Sequence, residues 1–211
     1  MVKRQCAHGV ELHSRLVGLV LAALIGAAVG CGTTTGPGPG PGPGPAPGPA
    51  VNHNLQINRF TTSALTNARA DQILAGMGTC LQDVDSTGDI ACDVGFTRNG
   101  PVTAFATGTG VINSLADFNA VIALPGEVKV VNQINWCGAL VPNVIGCANV
   151  PGNSLAVIRF TPALEEILWA HEFGHNKGRN HRNGVNLVMH PSIAATRRAV
   201  NQDECIAFEQ P

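Results

Sequence analysis

The chain has 211 residues and a formal net charge of −1, and only 13% of its residues are charged. The first fifty or so residues do not have the composition of a folded segment, which leaves roughly 160 residues, about the size of one domain. No basic patch and no run of like charges occurs, which argues against a nucleic-acid-binding protein and against a charged interaction tail.

Residues 1–30 have the pattern of an export signal. A basic start is followed by an apolar run at residues 16–29, which is too short to cross a bilayer as a helix. Three small residues, 28–30, directly precede Cys31, and this arrangement resembles the lipobox of bacterial lipoproteins. The resemblance implies that Cys31 is lipidated and becomes the mature N-terminus, with Gly32 favouring the outer membrane; the alternative is an ordinary cleaved signal and secretion.

A linker follows the export signal. Residues 36–50 alternate almost purely between Gly and Pro, and this period of two is incompatible with collagen, which needs Gly at every third position. Extended, the segment reaches on the order of 50 Å. We therefore divide the chain into a signal (1–30), an anchor and linker (31–50) and one folded domain (51–211).

Hydrophobic periodicity in residues 51–211 predicts helices and strands together. Residues 137–152 carry several Gly and Pro and are predicted to form a loop. Thr161 is predicted to cap a helix that begins at Pro162 and continues through Trp169. The other predicted helices are 62–81 and 114–121, and the predicted strands are 90–96, 102–105, 127–134 and 154–160. The sequence thus predicts an α+β fold, with a mixed twisted sheet, two long helices and a small irregular C-terminal part.

Five cysteines lie in the predicted domain, and in an exported protein they are candidates for disulfides first. Short spacings favour Cys80 with Cys92 and Cys137 with Cys147. Cys205 is then a free thiol, unless one of these two pairings is wrong.

The string HEFGHNKGRNH at residues 171–181 carries the chemistry. His171 and His175 lie one helical turn apart and project from the same face, as two ligands of one cation require. Glu172, next to the first ligand, can reach a water at the metal. Gly178 can end the helix in the left-handed conformation, so that His181 returns as a third ligand. Three imidazoles and a water complete the tetrahedral site of catalytic zinc.

The spacing H-E-x-x-H-x-x-G-x-x-H resembles the metzincin metallopeptidases. Met189, in Leu-Val-Met-His-Pro, looks like the methionine turn of that family. The resemblance implies a zinc endopeptidase acting on extracellular proteins or peptides: His171, His175 and His181 hold Zn²⁺, Glu172 is the general base, and Gly178 and Met189 support the site. It also implies that residues 153–160 form the sheet-edge strand that pairs with an extended substrate. We expect a monomer that meets the membrane only through Cys31.

Some features depart from the family, and other interpretations remain open. The chain has no tyrosine, which excludes an astacin-like tyrosine ligand, and Arg182 assigns no subfamily. A gluzincin would take Glu204 as its third ligand, from a possible helix at residues 196–209, but His181 is simpler. His190 either lines the substrate pocket or is a plain turn residue. The alternative function is a catalytically inactive, zinc-stabilised surface binding module resembling an adhesin.

Overall fold

The computed structural model describes residues 3–8 and 51–211. The apolar run of the export signal, Cys31 and the Gly-Pro linker lie outside the described residues, so their assignments stay predictions. Within the described part, no helix is both long and apolar enough to cross a membrane.

The described residues form ten strands and four helices. In chain order they are β1 (Lys3–His8), β2 (Val51–Leu55), β3 (Ile57–Phe60), α1 (Asn67–Cys80), β4 (Val94–Arg98), β5 (Thr103–Phe105), β6 (Val111–Ile112), α2 (Leu115–Ile122), β7 (Val128–Val131), β8 (Gln133–Trp136), β9 (Leu140–Val150), β10 (Leu155–Ile158), α3 (Glu165–Asn176) and α4 (Gln202–Phe208).

Seven strands follow one another in the main sheet, in the order β5-β3-β7-β10-β9-β8-β6, and β1 pairs with β9 as an eighth. β10 is parallel to β7 and antiparallel to β9. β1 also runs antiparallel to β9. β2 and β4 form a separate parallel pair. The predicted α+β class with a mixed sheet is therefore confirmed.

Helix α3 lies in the interior of this fold. It packs against α1, β9 and β10, and all of its residues except Glu166 are buried. Its apolar side chains share one core with α1 and with the inner face of the sheet. A helix buried on every side has no solvent-facing stripe, so the polar side chains of the helical part of the string, residues 171–176, lie inside the protein.

The loop predicted at residues 137–152 is wrong: most of this segment is β9, the longest strand in the described residues. Pro142 and Gly146 suggested a loop because both residues usually interrupt sheets. Here the first four residues of the strand are partly or fully exposed, whereas Val144–Cys147 are buried. β-branched residues and burial decide the conformation of that second half.

The prediction that residues 153–160 form a strand at the edge of the sheet is also wrong. β10 occupies part of that segment but lies between β7 and β9, with neighbours on both sides. The chain forms β9 immediately before β10 and turns back through Pro151, and this hairpin places β9 outside β10. The strand that lies beside α3 and pairs with β1 on its outer side is therefore β9.

Several other boundaries differ from prediction. Helix α1 begins at Asn67, because the Thr66 side chain caps it, and Ile57–Phe60 before it is a strand. Helix α3 begins at Glu165 after Leu164, and Pro162 lies in the turn before it. The predicted strand 127–134 is two strands, β7 and β8. The short helix at 114–121 is present as α2, capped by Ser114.

The structure contains two disulfides among its described cysteines. Cys137–Cys147 is present as predicted, but Cys92 pairs with Cys205 instead of Cys80. Helix α4 packs back onto the segment before β4, so the correct partner lies 113 residues away. Cys80 is a buried free thiol, and burial raises its pKa to about 12.

The start of α3 is fixed by a buried carboxylate. Glu165 accepts hydrogen bonds from Arg159 at 2.6 Å and from Arg69 at 2.8 Å and 3.0 Å. Burial raises the pKa of this carboxyl, but the bonds from Arg159, Arg69 and the Phe160 N–H outweigh it and hold the pKa below 4.5. This network ties α3 to α1 and to the end of β10.

We expect Glu165→Gln to lower the free energy of unfolding by about 2–3 kcal/mol at pH 7, since it leaves two arginines without their buried partner. Because the folded-state pKa is depressed, this contribution is present above pH 4.5 and is lost as the pH falls toward the folded-state pKa. Urea unfolding at pH 7 and pH 3.5 measures both. Asp71→Asn, in the exposed pair with Arg98, is the control, and an equal loss there would contradict the assignment.

Candidate metal centre

Three histidine side chains, two from α3 and one from the turn after it, converge on one another. The Nε2 atom of His175 lies 3.0 Å from that of His171 and 3.2 Å from that of His181, and the third distance is also 3.2 Å. His171 and His175 are buried and His181 is half-buried. The structure thus brings together the three residues that the sequence predicts as metal ligands.

Backbone carbonyls fix the tautomers of two of these rings. Nδ1 of His171 lies 2.7 Å from the carbonyl oxygen of Val188, and Nδ1 of His175 lies 2.7 Å from that of Arg179. A carbonyl can only accept, so each Nδ1 carries the proton and each Nε2 presents a lone pair. Two lone pairs facing each other at 3.0 Å repel, and a cation between them removes that repulsion.

Two of the three histidines, His171 and His175, are held in the neutral form that binds metals. Burial lowers the pKa of His171 well below 6.5, and the neighbouring His175 lowers it further. Burial likewise lowers the pKa of His175, to about 3, although its bond to the Arg179 carbonyl acts in the opposite direction. Both imidazoles are therefore uncharged at neutral pH, with their lone pairs available.

The donor set fits zinc. Zinc binds imidazole nitrogen at about 2.0–2.1 Å with tetrahedral geometry, which requires nitrogen atoms about 3.3–3.4 Å apart. The observed separations of 3.0 and 3.2 Å lie within a few tenths of an ångström of this value. No aspartate, glutamate or cysteine of the described residues joins this group of three, so a fourth position is left for water or a substrate.

The turn after α3 brings His181 back to the other two. Gly178 has φ +81°, the left-handed conformation that ends helices. Its N–H bonds to the carbonyl of His175, and the N–H of Arg179 bonds to that of Gly174. This turn also directs the Arg179 carbonyl toward His175, so one local structure both redirects the chain and orients a candidate ligand.

Met189 lies buried against the middle of α3. A Cβ at Gly174 would overlap its Sδ and would lie 3.1 Å from the ring of Phe208, so the glycine is needed for close packing, as its place inside a helix suggests. The preceding residue, Val188, supplies the carbonyl that orients His171. The segment around Met189 therefore packs on α3 through the Met189 side chain and orients His171 through the Val188 carbonyl.

Glu172 is fully buried beside His171. Its carboxylate lies directly against Gly146 of β9, close enough that no side chain would fit there. Gly146 was missed because its segment was interpreted as a loop. Its neighbours Val144, Ile145 and Cys147 favour a strand, and this pattern could have placed Gly146 in the sheet.

Two other residues considered from sequence lie outside the triad. Glu204 pairs with Arg182 at 2.9 Å and bonds to the backbone N–H of Asn201 at the start of α4, so its carboxylate is engaged away from the histidines. His190 receives a hydrogen bond from the Ser192 N–H on its Nδ1. The geometry therefore gives no support to a gluzincin ligand set.

Comparison with solved structures finds a likeness to the crystal structure of archaemetzincin from Methanopyrus kandleri. The TM-score is 0.47 with 15% sequence identity, over 78% of this chain and 96% of that chain. No protein-family model and no curated protein matches the sequence. A likeness of this size carries no conclusion about activity, so the functional conclusions below rest on the geometry of the site.

We expect the protein to bind one zinc ion per chain. His181→Ala should lower zinc affinity more than the 10- to 100-fold typical of mutations around a ligand, because it removes a donor. His190→Ala is the matched control and should keep wild-type affinity. Metal content after dialysis, together with competition against a chromophoric chelator, measures both, and unchanged affinity in His181→Ala would exclude the triad as the site.

Proposed function

We propose that this protein is a zinc-dependent endopeptidase that hydrolyses extracellular proteins or peptides. The observation that carries the proposal is the convergence of three imidazoles within 3.2 Å, together with the fully buried carboxylate of Glu172, the residue that follows His171. A site that only held the fold together would need no carboxylate at this position. Glu172 therefore favours catalysis over the alternative, a zinc-stabilised binding module.

The proposed mechanism is hydrolysis by an activated water. The chemistry that zinc supplies when bound is polarisation of the scissile carbonyl and a lower pKa of water, from 15.7 to about 7. Glu172 then acts as general base, taking the proton of the attacking water and delivering it to the leaving amine. Its burial against β9 excludes bulk solvent from the carboxylate, and the helix that carries Glu172 also carries two of the proposed ligands, His171 and His175.

Glu172→Ala should keep zinc and lose hydrolysis. We expect kcat on casein to fall by about 10²- to 10⁴-fold, the usual contribution of a positioned base, with zinc content unchanged. Glu166→Ala changes a partly exposed carboxylate of the same helix and is the control for helix stability. If Glu172→Ala cleaves casein as fast as the wild type, the mechanism is wrong, and a wild type that binds zinc but cleaves no peptide library would favour the binding module.

We further propose that the outer side of β9 binds the substrate backbone. Pairing with β1 supports this, because Lys3–His8 runs antiparallel along Val144–Val150 and also contacts α3. In this register Ala7 is opposite Gly146, which lies against Glu172. An extended peptide in the same place would pass its backbone beside the proposed base, with affinity from main-chain hydrogen bonds.

A synthetic peptide of residues 1–10 should therefore inhibit the chain that begins at Cys31. We expect competitive inhibition, with KM raised and kcat unchanged, because peptide and substrate would use the same strand edge. The same peptide with N-methyl groups at Gln5 and Ala7 is the control, since methylation removes backbone donors. Equal inhibition by both peptides, or none by either, would contradict pairing at β9.

The place of action is proposed from the N-terminal sequence and the cysteines. Two disulfides favour an oxidising compartment outside the cytosol. We propose export and anchoring through a lipidated Cys31, with the Gly-Pro segment as a tether. Mass spectrometry of the mature N-terminus tests this, and cleavage at any other site would remove the lipoprotein assignment.

A further inference from the structure

Gly146 is the point at which β9 passes closest to Glu172. A Cβ built at Gly146 would lie 2.7 Å from both Cγ and Cδ of Glu172, and closer still to Oε1. Real Cβ atoms do not approach other carbon atoms this closely. Any side chain at position 146 would therefore occupy the space of the Glu172 carboxylate.

A break in the strand register turns Gly146 toward α3. In the pairing with β1, Ala7 is opposite Gly146 and His8 is opposite Val144, so Ile145 is an extra residue in β9. Such bulges re-aim neighbouring residues and are common near active sites. Ile145 and Ala148 pack in the core around α3, whereas Val144 and Cys147 pack in the cluster on the other side.

The backbone of β9 is not free to move away from Glu172. Cys147, the next residue, is bonded to Cys137, and Gly146 itself pairs with Val157 of β10. The Glu172 side chain, by contrast, has three rotatable bonds on a fixed helix. If a methyl group were added at position 146, the carboxylate would move before the strand did.

We propose that Gly146 is a positioning residue: by having no side chain, it sets where the Glu172 carboxylate lies relative to the three histidines. This inference rests on the proposed function, in which Glu172 is the general base. It assigns to one residue of β9 a role in orienting that base, separate from any role of the strand edge in binding substrate.

Gly76 provides a matched control. It lies on α1, where a Cβ would be 2.8 Å from Cβ and 3.0 Å from Cγ of Glu166. Both glycines thus accommodate a glutamate of α3, but Glu166 does not lie with the histidines. At Gly76 the overlap includes the Cβ of the glutamate, which cannot swing away, so Gly76→Ala must separate α1 from α3.

The first test compares Gly146→Ala and Gly76→Ala as zinc-loaded proteins. Gly146→Ala should lower kcat on casein by about 10²-fold, the usual effect of an ångström-scale misplacement, with little change in KM or zinc content. Gly76→Ala should lower the thermal midpoint and leave kcat unchanged. Wild-type kcat in Gly146→Ala, or equal losses of kcat in the two variants, would overturn the inference.

The second test does not depend on activity. Denaturation midpoints are measured for Gly146→Ala, Glu172→Ala and the double variant. Added to Glu172→Ala, the Gly146→Ala change should be neutral or raise the midpoint, because the overlapping carboxylate is gone and glycine is unfavourable in a strand. With Glu172 present, Gly146→Ala alone should lower the midpoint, because the added methyl group and the carboxylate compete for the same space. Failure of this variant to fold while the double variant folds would show the same competition.

This cycle separates the inference from the proposed function. A wild type without peptidase activity would defeat the proposed function, yet the coupling between the two positions would still show whether they compete for space. Equal effects of Gly146→Ala in both backgrounds, including failure of the double variant to fold, would overturn the inference even if the wild type proved to be a peptidase.

Discussion

The structure depends on burying a helix that carries charged and polar side chains. Helix α3 is covered along its length, and its buried polar side chains need partners from elsewhere in the fold. Glu165 finds two arginines, and His171 and His175 find the carbonyls of Val188 and Arg179. Segments far apart in sequence must therefore meet α3 at fixed points, and those points determine the site.

The deep burial of α3 also limits the size of the side chains that neighbouring elements can place against it. Where a polar side chain of α3 projects toward a packed neighbour, that neighbour has little room, and glycine is found at the contact: Gly146 of β9 against Glu172, and Gly76 of α1 against Glu166. Within α3, Gly174 in turn leaves room for the side chain of Met189. Close approach and exclusion from solvent thus arise from the same packing, because a buried carboxylate must be closely surrounded.

The sequence predicted those parts of the structure that short-range pattern determines. The spacing of His171 and His175, and the glycine that redirects the chain toward His181, are local properties of one helix and its end. The α+β class followed from hydrophobic periodicity. β9 and the Cys92–Cys205 disulfide could not be predicted in this way, since both depend on contacts across the fold. Pro142 and Gly146 interrupt the strand pattern locally, and at Gly146 burial against α3 and β10 overrides that preference.

The third histidine is positioned by contacts between segments far apart in sequence, unlike the first two. His171 and His175 are placed by the helix itself, whereas His181 lies on irregular chain after Gly178. The N–H of the next residue, Arg182, bonds to the carbonyl of Met189, and its side chain pairs with Glu204 of α4. Helix α4 is in turn bonded to the segment before β4 through Cys205. Two donors are thus set by local helix geometry, while the third requires the C-terminal segment to have docked, so a metal held by all three links that docking to the core.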